Sequence, residues 1–116
     1  FGEIYFSLTY PGIVKAWHLH KKMTLNYGII SGKIKLVLYD DRPMSSTKGE
    51  IQEIFLTHDD YFTVIIPPLI WNGFKSVENK TAIIANCSDI PHDSNEIIRK
   101  RYDDPSIPYN WKIKHK

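Results

Sequence analysis

The sequence predicts an all-β domain, a sandwich or barrel of about seven or eight short strands. Three observations lead there. Apolar residues recur in runs six to eight residues long, alternating with polar ones or rich in β-branched side chains. Proline, glycine, asparagine and aspartate fall between these runs at turn spacing. No stretch carries the periodicity of a long helix, and only residues 93–100 have room for a helical turn.

Residues 3–10 (EIYFSLTY) alternate, with Ile4, Phe6, Leu8 and Tyr10 on one face, and Pro11-Gly12 turns the chain. Residues 13–20 form a second strand and residues 25–30 a third, the latter closed by Ser31-Gly32. Residues 33–39 (KIKLVLY) give the strongest strand signal, with Ile34, Leu36 and Leu38 as its inner face. A polar loop over 40–49 leads to a short strand at 50–56, and a β-branched strand at 61–66 stops at Pro67-Pro68. WNGF at 71–74 reads as a return through Gly73, and residues 81–87 as a last buried strand. The closing YDDPSIPYNW, 102–111, is expected to drape over the barrel, because Ile107, Tyr109 and Trp111 can bury area there.

The 116 residues suffice for one core, so a single domain over 1–116 is expected; the opening Phe1 is compatible with a missing native N-terminal segment. The net charge of +2 gives no reason to expect nucleic acid or an anionic membrane as partner, and the alternating Lys112, Lys114 and Lys116 read as a solvated end. The single cysteine, Cys87, rules out an intrachain disulfide and favours a reducing, cytoplasmic setting. No apolar run approaches the ~20 residues that span a bilayer.

The chemistry centres on KAWHLHKK, residues 15–22. Successive strand residues face opposite ways, so His18 and His20 share a face with the small Val14 and Ala16, while Ile13, Lys15, Trp17 and Leu19 face away. Two imidazoles with small neighbours suggest a lined cavity.

Gly12, five residues, then His18-x-His20 matches the first signature of the cupin barrel, and Gly32 closes it. Leu25 stands where that signature has its glutamate. In the second signature Pro67 is kept, but Leu69 replaces the glycine and Asn72 the histidine. Two neutral imidazoles make a poor divalent-metal site, so a cupin jelly-roll without metal, and without redox cofactor, is expected.

Four stretches together resemble the dTDP-4-dehydrorhamnose 3,5-epimerase family of sugar-nucleotide cupins, in its order and near its spacing: KAWHLHKK, GKIKLVLYDDRPMSSTKGE, IPPLIWNGFK and YDDPSIPYNW. The resemblance is greatest to the shorter members that carry KAWHxHKK. It implies proton abstraction beside the ketone of a nucleotide-linked 4-keto-6-deoxy sugar, with an enolate between the two proton transfers. The family's base falls on His18 and its carboxylate partner on Asp104, with a hydrogen bond between them expected across the barrel mouth. His20 stands where the epimerases carry glutamine. The family's lysine falls on Leu25, its tyrosine on Asn86, the histidine of its AHGF on Asn72, and its arginine on Lys15. Asn72, Asn86 and protonated His20 are the donors left for the enolate oxygen. The HxH also resembles the sugar-nucleotide 3,4-ketoisomerases, in which two histidines on one face could move a proton along one side of the sugar. A non-catalytic cupin that binds a sugar nucleotide is the third reading.

Trp71 and Tyr27 are candidates to stack on a nucleotide base, packing being the alternative and the favoured one for Tyr27. Arg42 either reaches a diphosphate or pairs with Asp40 or Asp41, the structural pair being favoured. Lys21 and Lys22 are loop residues or phosphate contacts. Cys87 reads as structural, and His58 and His92 as loop residues. A homodimer is expected, because small barrels commonly cover their sheet edges with a partner.

Overall fold

The computed structural model describes residues 2–112; Lys114 and Lys116 of the expected solvated end lie outside the described residues. Among the described residues nine strands alternate with turns: β1 (Glu3–Thr9), β2 (Val14–His20), β3 (Leu25–Ser31), β4 (Lys33–Tyr39), β5 (Ile51–Thr57), β6 (Val64–Ile66), β7 (Trp71–Ser76), β8 (Ala82–Ser88) and, after a 3₁₀ turn at Ser94–Glu96, β9 (Ile97–Arg99). They form a four-stranded sheet in the order β1-β8-β3-β6 and a five-stranded sheet in the order β5-β4-β7-β2-β9. All strand pairs are antiparallel, and the two sheets make a jelly-roll barrel.

Two apolar clusters flank the five-stranded sheet. The inner one lies between the sheets and includes Met23, Leu25, Ile34, Leu36, Ile66, Phe74 and Ile84. The outer one collects Trp17, Leu19, Val37 and Trp71 beneath Ile107 and Trp111 of the closing segment. Alternation on β4 serves both, with Ile34 and Leu36 turned inward and Val37 outward. The closing segment is tied down by Lys75 Nζ, which donates to the Trp111 carbonyl at 2.9 Å, and by Tyr109 Oη, which donates to Glu53 at 2.5 Å. It covers the outer face of the sheet rather than the barrel mouth.

Several elements differ from the sequence reading: the strand expected over 61–66 forms only as Val64–Ile66, and the stretch 93–100 adds strand β9 after its turn. WNGF is not a return but the start of β7, the central strand of its sheet. Gly73 is there for close approach: a Cβ on it would lie 2.4 Å from the Ala16 Cβ and 3.0 Å from Trp111. On β1 the apolar face is the solvent face, with Ile4, Phe6 and Leu8 exposed.

A candidate active site between the two sheets

One end of the barrel is left open as a cavity of about 360 Å³, within the size range of small-molecule sites. Strand β1 contributes Glu3, Tyr5 and Ser7, β2 contributes Lys15, His18 and His20, and β9 contributes Ile97 and Arg99. Met23, Tyr27, Phe74, Ile84, Asn86 and His92 complete the lining.

His18 and His20 share the inner face of β2, as strict alternation requires. Lys15 joins them, contrary to that same alternation. The register of β2 against β7 shifts between Lys15 and His18, which resets the parity. Upstream of the shift Lys15 faces inward and Val14 and Ala16 outward; downstream His18 and His20 face inward and Trp17 and Leu19 outward. The small neighbours expected beside the histidines therefore pack under the closing segment. Lys15 Nζ reaches across to β1, donating to Ser7 Oγ at 3.0 Å and to the Leu8 carbonyl at 2.5 Å.

The two imidazoles differ in environment. His20 is 7% exposed, and its Nδ1 lies 2.5 Å from Glu96 Oε1. Glu96 is itself 3% exposed, and its other oxygen accepts the amides of Lys22 and Met23 at 3.2 Å. Burial pushes the Glu96 carboxyl up, but the His20 imidazole and those two amides outweigh it and hold it below its ordinary value. The ionised carboxylate fixes Nδ1 of His20 as the protonated nitrogen and leaves Nε2 as the acceptor. His18 has no side-chain hydrogen bond among the described residues. Burial, helped by the charges of Arg99, His20 and Lys15, pushes its pKa down to about 4. It is neutral at neutral pH.

Asp104 is not part of this arrangement. Its carboxylate accepts from the Ser106 amide at 2.9 Å and hydroxyl at 2.6 Å, capping its own turn, with no bond to His18. The reason is the route of the tail: Ile107 and Trp111 are drawn to the outer apolar face, and Asp104 goes with them. Trp71 also sits in that outer cluster, its Nε1 donating to Asp41 at 2.9 Å, so it offers no stacking surface in the cavity. Arg42 grips Asp40 through two nitrogens, Nε at 3.0 Å and Nη2 at 2.9 Å, away from the histidines. That guanidinium, with Ser45 and Thr47, holds the Asp40 carboxyl far below the usual carboxylate range despite its burial.

Asn72 pairs with His18 in the β2–β7 ladder but does not line the cavity; its Nδ2 donates to the carbonyls of His18 and Ile70 at 3.1 and 3.4 Å. Asn86 does line it, with Oδ1 accepting from the Asn26 amide at 3.0 Å and Nδ2 donating to Tyr5 Oη at 2.7 Å. Among the described residues no three His, Cys, Asp or Glu side chains converge as a metal site. Leu25, at the cupin glutamate position, is buried in the inner core.

Glu96, Arg99, Tyr5, His92, Glu3 and Ser7 are the polar lining or supporting residues that sequence reasoning missed, together with the apolar Met23, Phe74, Ile84 and Ile97. Only Glu96 left a trace, as an acidic residue in the one stretch with room for a helical turn.

Fold and cavity together define a cupin barrel whose site carries two histidines and a buried carboxylate behind one of them. The chain belongs to the dTDP-4-dehydrorhamnose 3,5-epimerase family, whose sequence profile matches residues 1–116. It is 34% identical over 110 residues to a probable low-salt glycan biosynthesis epimerase of Haloferax volcanii, covering 91% of this chain and 65% of that one. It is 30% identical over 113 residues to a spore coat polysaccharide biosynthesis protein of Bacillus subtilis, covering 96% and 75%. The chain thus spans less than two-thirds of the first relative's length and three-quarters of the second's. Among solved structures, a dTDP sugar isomerase from Desulfovibrio desulfuricans superposes with a TM-score of 0.94 at 44% identity, covering 96% of this chain and 71% of that one. The dTDP-6-deoxy-D-glucose-3,5-epimerase of Legionella pneumophila, solved with dTDP-4-keto-L-rhamnose, shares the fold at a TM-score of 0.85 and 19% identity, covering 100% and 62%.

Proposed function

We propose that this chain epimerises a nucleotide-linked 4-keto-6-deoxy sugar by removing a proton from a carbon beside the ketone. The observation that carries the reading is the pair of inward imidazoles, one of them backed by a buried carboxylate. The 4-keto group acidifies the protons on C3 and C5. His20 is suited to take one of them, because Glu96 fixes its tautomer and supports the imidazolium that forms. Neutral His18, beside it, is suited to donate a hydrogen bond to the oxygen that gains charge in the enolate. Arg99 and Lys15 put two cations on the cavity wall, where a nucleotide diphosphate would be neutralised. Asn86, Asn72 and Asp104 then support the fold and the wall rather than the proton transfer itself.

The placement of His18 and His20 on one wall, with Asp104 elsewhere, favours one second reading, a 3,4-ketoisomerase-like shift along one side of the sugar. Solvent deuterium wash-in with dTDP-4-keto-6-deoxyglucose tests both. Exchange at C3 or C5 with inverted product supports the epimerase; exchange with a 3-keto product supports the ketoisomerase. No exchange above background leaves a sugar-nucleotide binder. His20→Ala should abolish exchange, and His18→Ala should slow it by ~10²-fold.

The reading includes no metal, since Leu25 and Asn72 occupy ligand positions of the cupin signature and Glu96 already takes Nδ1 of His20. A homodimer fits the outer face of the four-stranded sheet, where Ile4, Phe6, Leu8 and Ile65 stand 49–65% exposed. A cytoplasmic setting fits the free thiol of Cys87.

A further inference from the structure

The pairing of β2 with β7 changes step at its last residue. His18 pairs with Asn72, and the same register carried on would set His20 against Ile70. The amide that reaches the His20 carbonyl, at 2.7 Å, is instead that of Leu69. Leu69 and Ile70 thus stand together against His20, and Leu69 has a φ of +71°. Two residues against one, the first of them left-handed, is the form of a bulge whose first residue is ordinarily glycine. Leu69 occupies the glycine position of the second cupin signature.

A leucine at positive φ is strained, because its Cβ crowds the backbone. Among the described residues it is the one non-glycine residue in that region. Its side chain is 45% exposed, so burial gives it little in return. What the conformation secures is the grip on His20. This residue ends β2 and is held from both sides. On one side it pairs with Ile97, and the amide that follows it, of Lys21, donates to the Glu96 carbonyl at 2.8 Å. On the other side its carbonyl accepts from Leu69. The 2.5 Å bond between His20 Nδ1 and Glu96 tolerates little movement of the backbone that carries the imidazole. Resting on the reading of His20 as the base, we infer that Leu69 is a positioning residue for His20: its left-handed backbone, not its side chain, holds the imidazole against Glu96 and in the cavity.

Four variants separate backbone from side chain. Glycine and asparagine enter the left-handed region readily, whereas valine and threonine, branched at Cβ, resist it. Leu69→Gly and Leu69→Asn should keep deuterium wash-in beside the ketone within roughly threefold of wild type. Leu69→Val, the most conservative in apolarity, and Leu69→Thr should lower it ~10²-fold. The same order should appear in proton NMR without substrate. The His20 Nδ1 proton, shifted far downfield by its short bond to a carboxylate, should persist in the glycine and asparagine variants and weaken or move upfield in the other two. Thermal melting verifies that each variant is folded. Should the valine and threonine variants not fold, the other two decide, because a role for the leucine side chain requires both to lose wash-in and a role for the backbone requires both to keep it. Lost wash-in in folded Leu69→Gly and Leu69→Asn overturns the inference. So does wild-type wash-in with an unmoved Nδ1 resonance in a folded Leu69→Val. A wild-type protein that exchanges no deuterium overturns the proposed function, and the Nδ1 resonance across the four variants then decides the positioning of His20 by itself.

Discussion

Replacing Glu96 by glutamine keeps the shape of the side chain and removes its charge. The three hydrogen bonds it accepts, from His20 and from the amides of Lys22 and Met23, set the scale. A glutamine oxygen can keep the two amides, so the loss centres on the His20 bond, and a hydrogen bond to a charged group is worth about 1.5–3 kcal/mol. Glu96→Ala, which strands the buried imidazole and both amides, should cost more, about 3–5 kcal/mol. The chemical consequence of Glu96→Gln is larger than the structural one. The glutamine NH₂ now faces Nδ1 of His20, which must become the acceptor, and the ring proton moves to Nε2. A base with its accepting nitrogen protonated cannot take up a substrate proton, so exchange should fall ~10²-fold or more in a folded protein.

The stability difference carries its own pH signature. The Glu96 carboxyl titrates lower in the folded chain than in the unfolded one, so the unfolded state binds more protons as acid is added. Its contribution is complete above the unfolded value and is lost as pH falls through the folded one. Urea denaturation at pH 7 should therefore show the full gap between wild type and Glu96→Gln, and a series toward pH 3 should show the gap closing. A gap that stays constant with pH, or a folded Glu96→Gln that exchanges deuterium at the wild-type rate, would refute the assignment.

Three further outcomes are expected. Asp104→Asn should leave exchange within roughly threefold of wild type, because among the described residues that carboxylate bonds only to Ser106, and should leave the urea midpoint little changed; a ~10²-fold loss of exchange would return it to the active site. Gly73→Ala should destabilise by about 3 kcal/mol or lower the yield of folded protein, since the added methyl meets Ala16 at 2.4 Å; an unchanged melting temperature would contradict the packing of β2 on β7. His18, neutral in the folded chain down to about pH 4 and protonated in the unfolded chain below 6.5, should contribute up to about 3 kcal/mol of stability that is present above 6.5 and lost between 6.5 and 4; His18→Asn should flatten the wild-type stability curve across that window.

Much of this barrel was legible in the chain. The inner face of β4 and the burial of Ile107 and Trp111 follow from alternation and from aromatic area alone. So does the shared orientation of His18 and His20. What alternation missed has local causes. The register shift before His18 reverses the parity of Lys15, and nothing in KAWHLHKK marks it. WNGF reads as a turn because of its glycine, whereas Gly73 is there to let Ala16 and Trp111 come close across strands. The polar inner face of β1 was hidden by its own apolar residues, which alternate cleanly but point to solvent. A tryptophan within the second cupin signature invites stacking on a base, yet Trp71 is claimed by the outer cluster and by Asp41.

The same division explains which carboxylate reaches a histidine. After β8 the chain must pass β2 to lay its aromatic tail on the outer face of the sheet. It does so as β9, pairing His18 with Arg99 and His20 with Ile97. Residues immediately before this pairing are therefore at the cavity, and residues after it are beyond the edge of the sheet. Glu96 ends the 3₁₀ turn one residue before the crossing and is driven inward beside His20, while its backbone carbonyl accepts the Lys21 amide at 2.8 Å. Asp104 comes after the crossing, already committed to the side where Trp17 and Trp71 wait for Ile107 and Trp111. Separation along the sequence gives no hint of this, since both carboxylates lie far from β2. The side of the sheet on which each must fall is decided by where the tail's apolar residues find cover, and that makes Glu96, not Asp104, the acid able to govern a histidine in this cavity.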